Sequence, residues 1–184
     1  MGILPRMREK KAVFLDRDGV LNNVILKKGK PHPPATLAEL SLCEDVLPAL
    51  QILKSLEYLL IVVTNQPDVA RKLTPLDTVQ EINATLMKLL PLDDICVCYH
   101  DDSDGCACRK PAAGLLLQAA LEYNVDLEKS YMIGDRWKDI EAGQRAACKT
   151  VWLNKAYQEK GPKLPPDYTT NSLMQAVTWI KNNN

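Results

Sequence analysis

The sequence predicts an α/β fold, a doubly wound Rossmann-like parallel sheet flanked by helices, and three observations predict it. Short aliphatic runs recur at residues 12–15, 59–63, 95–98, 131–133 and 151–153, each the length of a strand buried on both faces. The stretches between them, 43–58, 75–90, 111–123 and 137–147, repeat apolar residues every three or four positions, the helical period. Alternation of the two patterns calls for crossover connections, and those build parallel sheets.

Taken in order, the first strand runs into Asp16-Arg17-Asp18-Gly19-Val20-Leu21-Asn22. Residues 23–42 hold Lys27, Lys28, Gly29, Lys30, Pro31, Pro33 and Pro34 without a sustained period and read as a flap. Pro75 follows Thr74 and Pro111 follows Lys110, each suited to the first turn of the helix it opens. A second Pro and Lys cluster at 160–166 precedes a last helix near 172–181, where Leu173, Val177 and Ile180 form one apolar stripe. With no repeat, low-complexity tract or linker, residues 1–184 read as one domain with its core at about 12–153 and no separate cap.

Composition removes several classes of function. Lys and Arg total 23 and Asp and Glu total 23, so the net charge is zero and nothing draws the chain to nucleic acid or anionic lipid. The longest aliphatic run, 59–63, is far below the roughly 20 residues of a membrane span. After Arg6, Arg8, Lys10 and Lys11 only residues 12–15 are apolar before Asp16, so no secretory segment is expected and the reading is cytoplasmic. A monomer without nucleic-acid or membrane partners is expected. Two histidines, His32 and His100, stand against six cysteines, which points acid/base work to carboxylates and the thiols to a metal.

Asp16 and Asp18 lie at a strand end, where open α/β sheets bind ligands, and two residues apart they would share a face of a regular strand. Asp18-Gly19 also reads as an ordinary turn. Three further ends deliver polar groups in order: Thr64-Asn65-Gln66, Arg109-Lys110-Pro111, and Gly134-Asp135 with Asp139 four residues on. Cys98-Tyr99-His100 and Cys106-Ala107-Cys108 enclose Asp101, Asp102, Ser103, Asp104 and Gly105, an exposed loop. Cys98, His100, Cys106 and Cys108 make a complete tetrahedral set for a structural Zn²⁺ in a loop of residues 98–108, with a redox role for Cys106 and Cys108 as the alternative. Cys43, Cys96 and Cys148 read as small buried hydrophobes.

The ordered set resembles the haloacid dehalogenase superfamily of phosphatases over about residues 13–151. The resemblance implies that Asp16 is the nucleophile of a phosphoaspartyl mechanism and Asp18 the general acid/base. It places Mg²⁺ on the Asp16 and Asp135 side chains and the Asp18 carbonyl, with Lys110, Thr64 and Asn65 on the phosphoryl oxygens. Asp139 reads either as a group orienting Lys110 or a metal water, or as a solvated helix-face carboxylate. The cysteine loop followed by Arg109-Lys110-Pro111 looks like the zinc-bearing branch of that superfamily, which includes heptose-bisphosphate 7-phosphatases and histidinol-phosphate phosphatases. Zinc would then fold the loop so that Arg109 and Lys110 reach phosphate, with Arg71 on phosphate or sugar or simply exposed. A heptose bisphosphate is the substrate expected, histidinol phosphate the alternative, and a non-catalytic phospho-acceptor or ligand-binding domain the rival class. The sequence departs from the heptose branch at Pro67-Asp68 and Lys72, and in a flap without a Tyr-Val element. His32 in that flap reads as a solvated loop histidine.

Overall fold

A computed structural model describes residues 9–184; Arg6 and Arg8 and the start of the predicted domain lie outside the described residues. The chain passes through β1 (Lys11–Leu15), the short strands β2 (Ile25–Lys27) and β3 (Lys30–His32), α1 (Val46–Ser55) and β4 (Tyr58–Asn65). It continues through α2 (Leu76–Leu89), β5 (Asp94–Cys98), α3 (Gly114–Tyr123), β6 (Tyr131–Gly134), α4 (Trp137–Arg145), β7 (Lys149–Leu153), β8 (Tyr168–Thr170) and α5 (Leu173–Asn182).

The sheet order is β5-β4-β1-β6-β7-β8, parallel throughout. Successive residues of a strand point to opposite faces, so each continuous aliphatic run supplies two cores. Val13, Leu15, Leu60, Val62 and Ile133 pack under α1, α2 and α5 through Leu50, Leu53, Ile82, Leu86, Val177 and Ile180. Their neighbours Ala12, Phe14, Ile61, Val63 and Met132 pack under α3 and α4 through Leu116, Ala119 and Ala142.

Chain order turns back at β1: β4 and β5 extend the sheet one way, β6 to β8 the other. Such a reversal leaves a crevice at the carboxyl ends of the central strands. Asp16 follows β1 and Asp135 follows β6, so both carboxylates enter this crevice, and the Asp16 N–H donates to the Ile133 carbonyl at 3.0 Å.

Several local expectations change. The flap is a hairpin pairing Ile25 with His32 and Lys27 with Lys30. Lys28 (φ 52°) and Gly29 (φ 73°) form its two-residue turn, and both left-handed positions suit the twist of a hairpin, which no apolar period announces. β8 is a sixth strand that the sequence reading lacked. With α5 it extends the packed unit to Ile180, past the expected core limit of 153. Pro75 stands just before α2 rather than inside it, and Pro111 does not open α3, because residues 109–113 form a separate turn. No helix among the described residues is long and apolar enough to cross a membrane.

Candidate active site

Lys110 is the centre of the crevice. Its ammonium lies 2.8 Å from Asp16 Oδ1 and 2.6 Å from Asp139 Oδ1, with the lysine side chain only 2% exposed. Asp16, Asp135 and Asp139 each place a carboxylate oxygen within 4.8 Å of the others. Three carboxylates around one ammonium leave two negative charges without a partner where water screens them poorly. Burial, aided by Asp139, pushes the Asp16 carboxyl up to about 6, against the opposing pull of Lys110. Asp135 is raised well above the carboxylate range by burial and by Asp16 and Asp139. Burial alone would lower Lys110, but Asp139 and Asp16 hold it above its usual value.

Free oxygens decide which carboxylates suit a cation. Asp139 Oδ1 is taken by Lys110 and its Oδ2 accepts from the Arg136 N–H at 2.9 Å. Asp135 Oδ2 accepts from the Tyr157 hydroxyl at 2.7 Å, while its Oδ1 is buried without a partner. An orphaned carboxylate oxygen beside Asp16, in a pocket short of two positive charges, fits a hard divalent ion such as Mg²⁺.

Two glycines make this packing possible. Gly19 has φ 87°, and a Cβ there would stand 1.9 Å from Asp135 Oδ2. A Cβ on Gly134 would stand 2.1 Å from the Asp139 Cβ. Both positions demand the missing side chain, Gly19 for its backbone conformation as well.

Asp18 leaves the strand geometry that would have aligned it with Asp16, and is held from four directions. Its Oδ1 accepts from Arg17 Nε (3.2 Å), Arg17 Nη2 (3.0 Å) and Asn22 Nδ2 (3.0 Å), and its Oδ2 from Gln66 Nε2 (2.7 Å). Arg17 is fully buried and also donates to Asn83 of α2 at 2.9 Å. Arg17, Asn22 and Gln66 each stand inside a sequence motif of the site, but nothing in their type or spacing marks them as partners of Asp18. Asn83, Tyr157, Arg136 and Glu159 carried no signal that period or spacing could reveal.

The phosphate-binding candidates are placed unequally. Thr64 is buried, and its hydroxyl accepts from Gln66 Nε2 at 2.9 Å. The Asn65 side-chain amide was expected on phosphate but is engaged by the Lys110 backbone, donating to its carbonyl and accepting from its N–H. Arg109 was expected at the phosphate as well. Its Nε donates to Asp102 at 2.8 Å and its Nη1 to the His100 carbonyl at 3.2 Å, so it braces the loop that carries it. Arg71 lines the pocket and pairs with Asp101 at 2.5 Å.

Cys98, His100, Cys106 and Cys108 converge. Their sulfurs lie 3.1 to 3.7 Å apart, and His100 Nδ1 is 3.6 Å from Cys98 Sγ and 3.2 Å from Cys108 Sγ. These separations exceed a disulfide bond, all six cysteines are free thiols, and one soft tetrahedral ion would span the four ligand atoms. Cys98 ends β5 and its carbonyl accepts from the Gln66 N–H at 2.7 Å, so the cluster is anchored to the strand end beside the crevice.

A cavity of about 290 Å³ opens over Asp16, Asp18, Lys110 and Asp135. Lys30, Pro31, His32 and Pro33 of the flap line it together with Pro67, Leu73 and Lys138. His32 therefore lines the pocket rather than standing in open solvent.

Comparison with known proteins agrees with this geometry. Residues 107–176 match the HAD-hydrolase-like family model. The chain is 36% identical to the D-glycero-beta-D-manno-heptose-1,7-bisphosphate 7-phosphatase of Haemophilus ducreyi, over 93% of this chain and 98% of that one. Its counterpart in Pasteurella multocida is also 36% identical, with 94% and 97% covered. Among solved structures, the D,D-heptose 1,7-bisphosphate phosphatase of B. bronchiseptica, complexed with magnesium and phosphate, superposes with a TM-score of 0.75 at 25% identity, covering 95% of this chain and 99% of that one. At 36% identity over more than nine-tenths of its length, the chain belongs to the family of haloacid-dehalogenase-like phosphatases that contains these enzymes.

Proposed function

We propose that this phosphatase is a Mg²⁺-dependent phosphomonoester hydrolase that forms a phosphoaspartyl intermediate on Asp16 and removes the 7-phosphate of a D-glycero-D-manno-heptose 1,7-bisphosphate. The observation that carries the mechanism is the single Lys110 ammonium shared by Asp16 and Asp139 beside the orphaned Asp135 Oδ1. The relatives' names carry the substrate.

A carboxylate of Asp16 attacks phosphorus as the ester P–O bond breaks, and Asp18 gives its proton to the departing alkoxide. Asp18, then ionised, takes a proton from water while the water oxygen attacks phosphorus, which frees phosphate and restores Asp16. Arg17, Asn22 and Gln66 hold Asp18 in place for both transfers. Lys110 neutralises phosphoryl oxygens as a point charge, and Asp139 aims it. Asp16, Asp135 and the Asp18 carbonyl would hold Mg²⁺, which when bound offsets the negative charge of both nucleophile and phosphate. Cys98, His100, Cys106 and Cys108 would hold Zn²⁺, fixing the loop from which Lys110 departs. Thr64 and Arg71 complete the proposed phosphate and sugar contacts. We propose a cytoplasmic monomer, since free thiols available to hold a metal suit a reducing compartment.

Phosphate release from a panel of heptose bisphosphate, histidinol phosphate and p-nitrophenyl phosphate, with and without Mg²⁺, tests this. The expected result is Mg²⁺-dependent turnover with kcat/KM at least about tenfold higher for the heptose ester. A higher value for histidinol phosphate would reassign the substrate, and no release from any member would overturn the enzymatic reading.

A further inference from the structure

The residues that follow β7 show no secondary structure, yet three in succession each touch a different part of the site. The Tyr157 hydroxyl donates to Asp135 Oδ2 at 2.7 Å. The Gln158 N–H reaches the carbonyl of Gly29 in the flap turn at 3.4 Å. Glu159 pairs through both oxygens with Arg136, and these two side chains form part of the pocket wall. The three-residue strap 157–159 thus joins the flap hairpin to Asp135 and Arg136, the two residues that follow β6.

Tyr157 has the most specific of these contacts. A carboxylate with two free oxygens can swing or bind a cation through both, at the expense of its neighbours' geometry. The Tyr157 hydroxyl takes one acceptor site on Asp135 Oδ2 and so orients the carboxylate, whose other oxygen is the buried atom without a partner. The phenol is half-buried and packs where a Cβ on Gly19 would lie only 3.0 Å from its oxygen. The missing side chain of Gly19, in the turn that carries Asp18, is what leaves the hydroxyl room beside Asp135.

We propose that Tyr157 is a positioning residue for the cation site: it holds Asp135 so that Oδ1 alone faces the ion, and the strap seats it by gripping the flap and Arg136. This rests on the Mg²⁺ site proposed above. Hydrogen-bond partners of metal ligands commonly change affinity by about 10–100-fold when removed.

The test is calorimetric titration of the whole, zinc-replete chain with MgCl₂ alone, comparing the parent with Tyr157→Phe. The expected result is a Mg²⁺ Kd weakened by about tenfold or more, in a chain that before Mg²⁺ is added still melts cooperatively and is destabilised by no more than the loss of one hydrogen bond. In steady-state assays the same variant should need correspondingly more Mg²⁺ and regain the parent kcat when saturated, a split that a general loss of packing would not produce. A Kd within twofold of the parent, or a kcat that saturating Mg²⁺ does not restore, would overturn the role. Should Tyr157→Phe fold poorly, Tyr157→Gln, which keeps a donor, is read by the same titration: affinity retained above that of Tyr157→Ala supports the role, and equal affinity in the two overturns it. Absence of Mg²⁺ binding by the parent would overturn the cation site and this role together. Binding that survives unchanged in the Phe variant would overturn the role alone.

Discussion

Asn65 and Lys110 are locked by a reciprocal pair of hydrogen bonds: Asn65 Nδ2 donates to the Lys110 carbonyl at 2.9 Å, and the Lys110 N–H donates to Asn65 Oδ1 at 3.1 Å. The last residue of β4 thereby fixes the backbone from which the buried ammonium extends, while Asp16 and Asp139 fix its tip. Asn65→Ala should lower kcat by about tenfold or more, since a small displacement of an oriented catalytic group is costly. Steady-state kinetics together with zinc content checks this, and a normal kcat would show that the tip contacts suffice.

Asp16→Asn should abolish turnover while the chain stays folded. The substitution keeps the shape of the side chain and removes one of three crowded negative charges, so the melting temperature without metal should not fall. Phosphate release and thermal melting check the two halves separately, and activity near that of the parent would rule Asp16 out as the nucleophile.

Gly19→Ala should damage both stability and the cation site. The new Cβ meets Asp135 Oδ2 at 1.9 Å on a backbone at φ 87°, so either Asp135 or the turn must move. A lowered melting temperature with weakened Mg²⁺ activation is expected; Mg²⁺ activation identical to the parent would contradict the packing described.

Metal-free protein should lose stability as pH rises from about 4 through 6. The Asp16 pKa is raised from 3.8 to about 6 on folding, so the folded state binds more protons across that window and deprotonation favours unfolding. Asp135 shifts in the same direction. Mg²⁺ should therefore raise the melting temperature more at pH 7 than at pH 5. Thermal melts at both pH values with and without MgCl₂ measure it, and an equal or reversed shift would refute it.

Removing a thiol from the cysteine cluster should act on catalysis at a distance. Cys106→Ser should lower bound zinc, expected at about one ion per chain in the parent, and reduce kcat as the segment leading to Lys110 loosens. Elemental analysis and kinetics on the same preparation check this. Loss of zinc with an unchanged kcat would separate the metal from the chemistry.

The sequence made the strand-end carboxylates and the cysteine cluster readable because each uses a short spacing with few other physical meanings. Asp16, Asp18, Asp135 and the four soft ligands all lie within a few residues of an aliphatic run or of one another. β1, β4 and β6 were readable because burial on both faces leaves long apolar runs, and β5 and β7 because each still keeps three or four apolar residues in a row. β8 was not, since three residues at the sheet edge, with Tyr168 only half-buried, carry little apolar signal. The flap hairpin was hidden because its two left-handed turn residues, Lys28 and Gly29, join strands without alternation. Asn65 and Arg109 were placed on phosphate through the resemblance, and the protein partners they hold depend on which loops meet in space. Tyr157 lies in a segment with no period at all, and only the fold brings it to Asp135.

The position of β1 between β4 and β6 has a consequence for the order in which the protein is built. Asp16 and the lysine it pairs with are separated by 94 residues, and the carboxylate that faces it across the seam belongs to a later strand still. Contacts this distant in sequence form late, after their loop-closure entropy has been met by the packing of both sheet halves. A chain still being synthesised, complete only as far as β5, would possess its nucleophile but neither the ammonium nor the second carboxylate. The centre is complete only once Lys110, Asp135 and Asp139 have joined the strand end of β1, and no fragment that stops at β5 contains it.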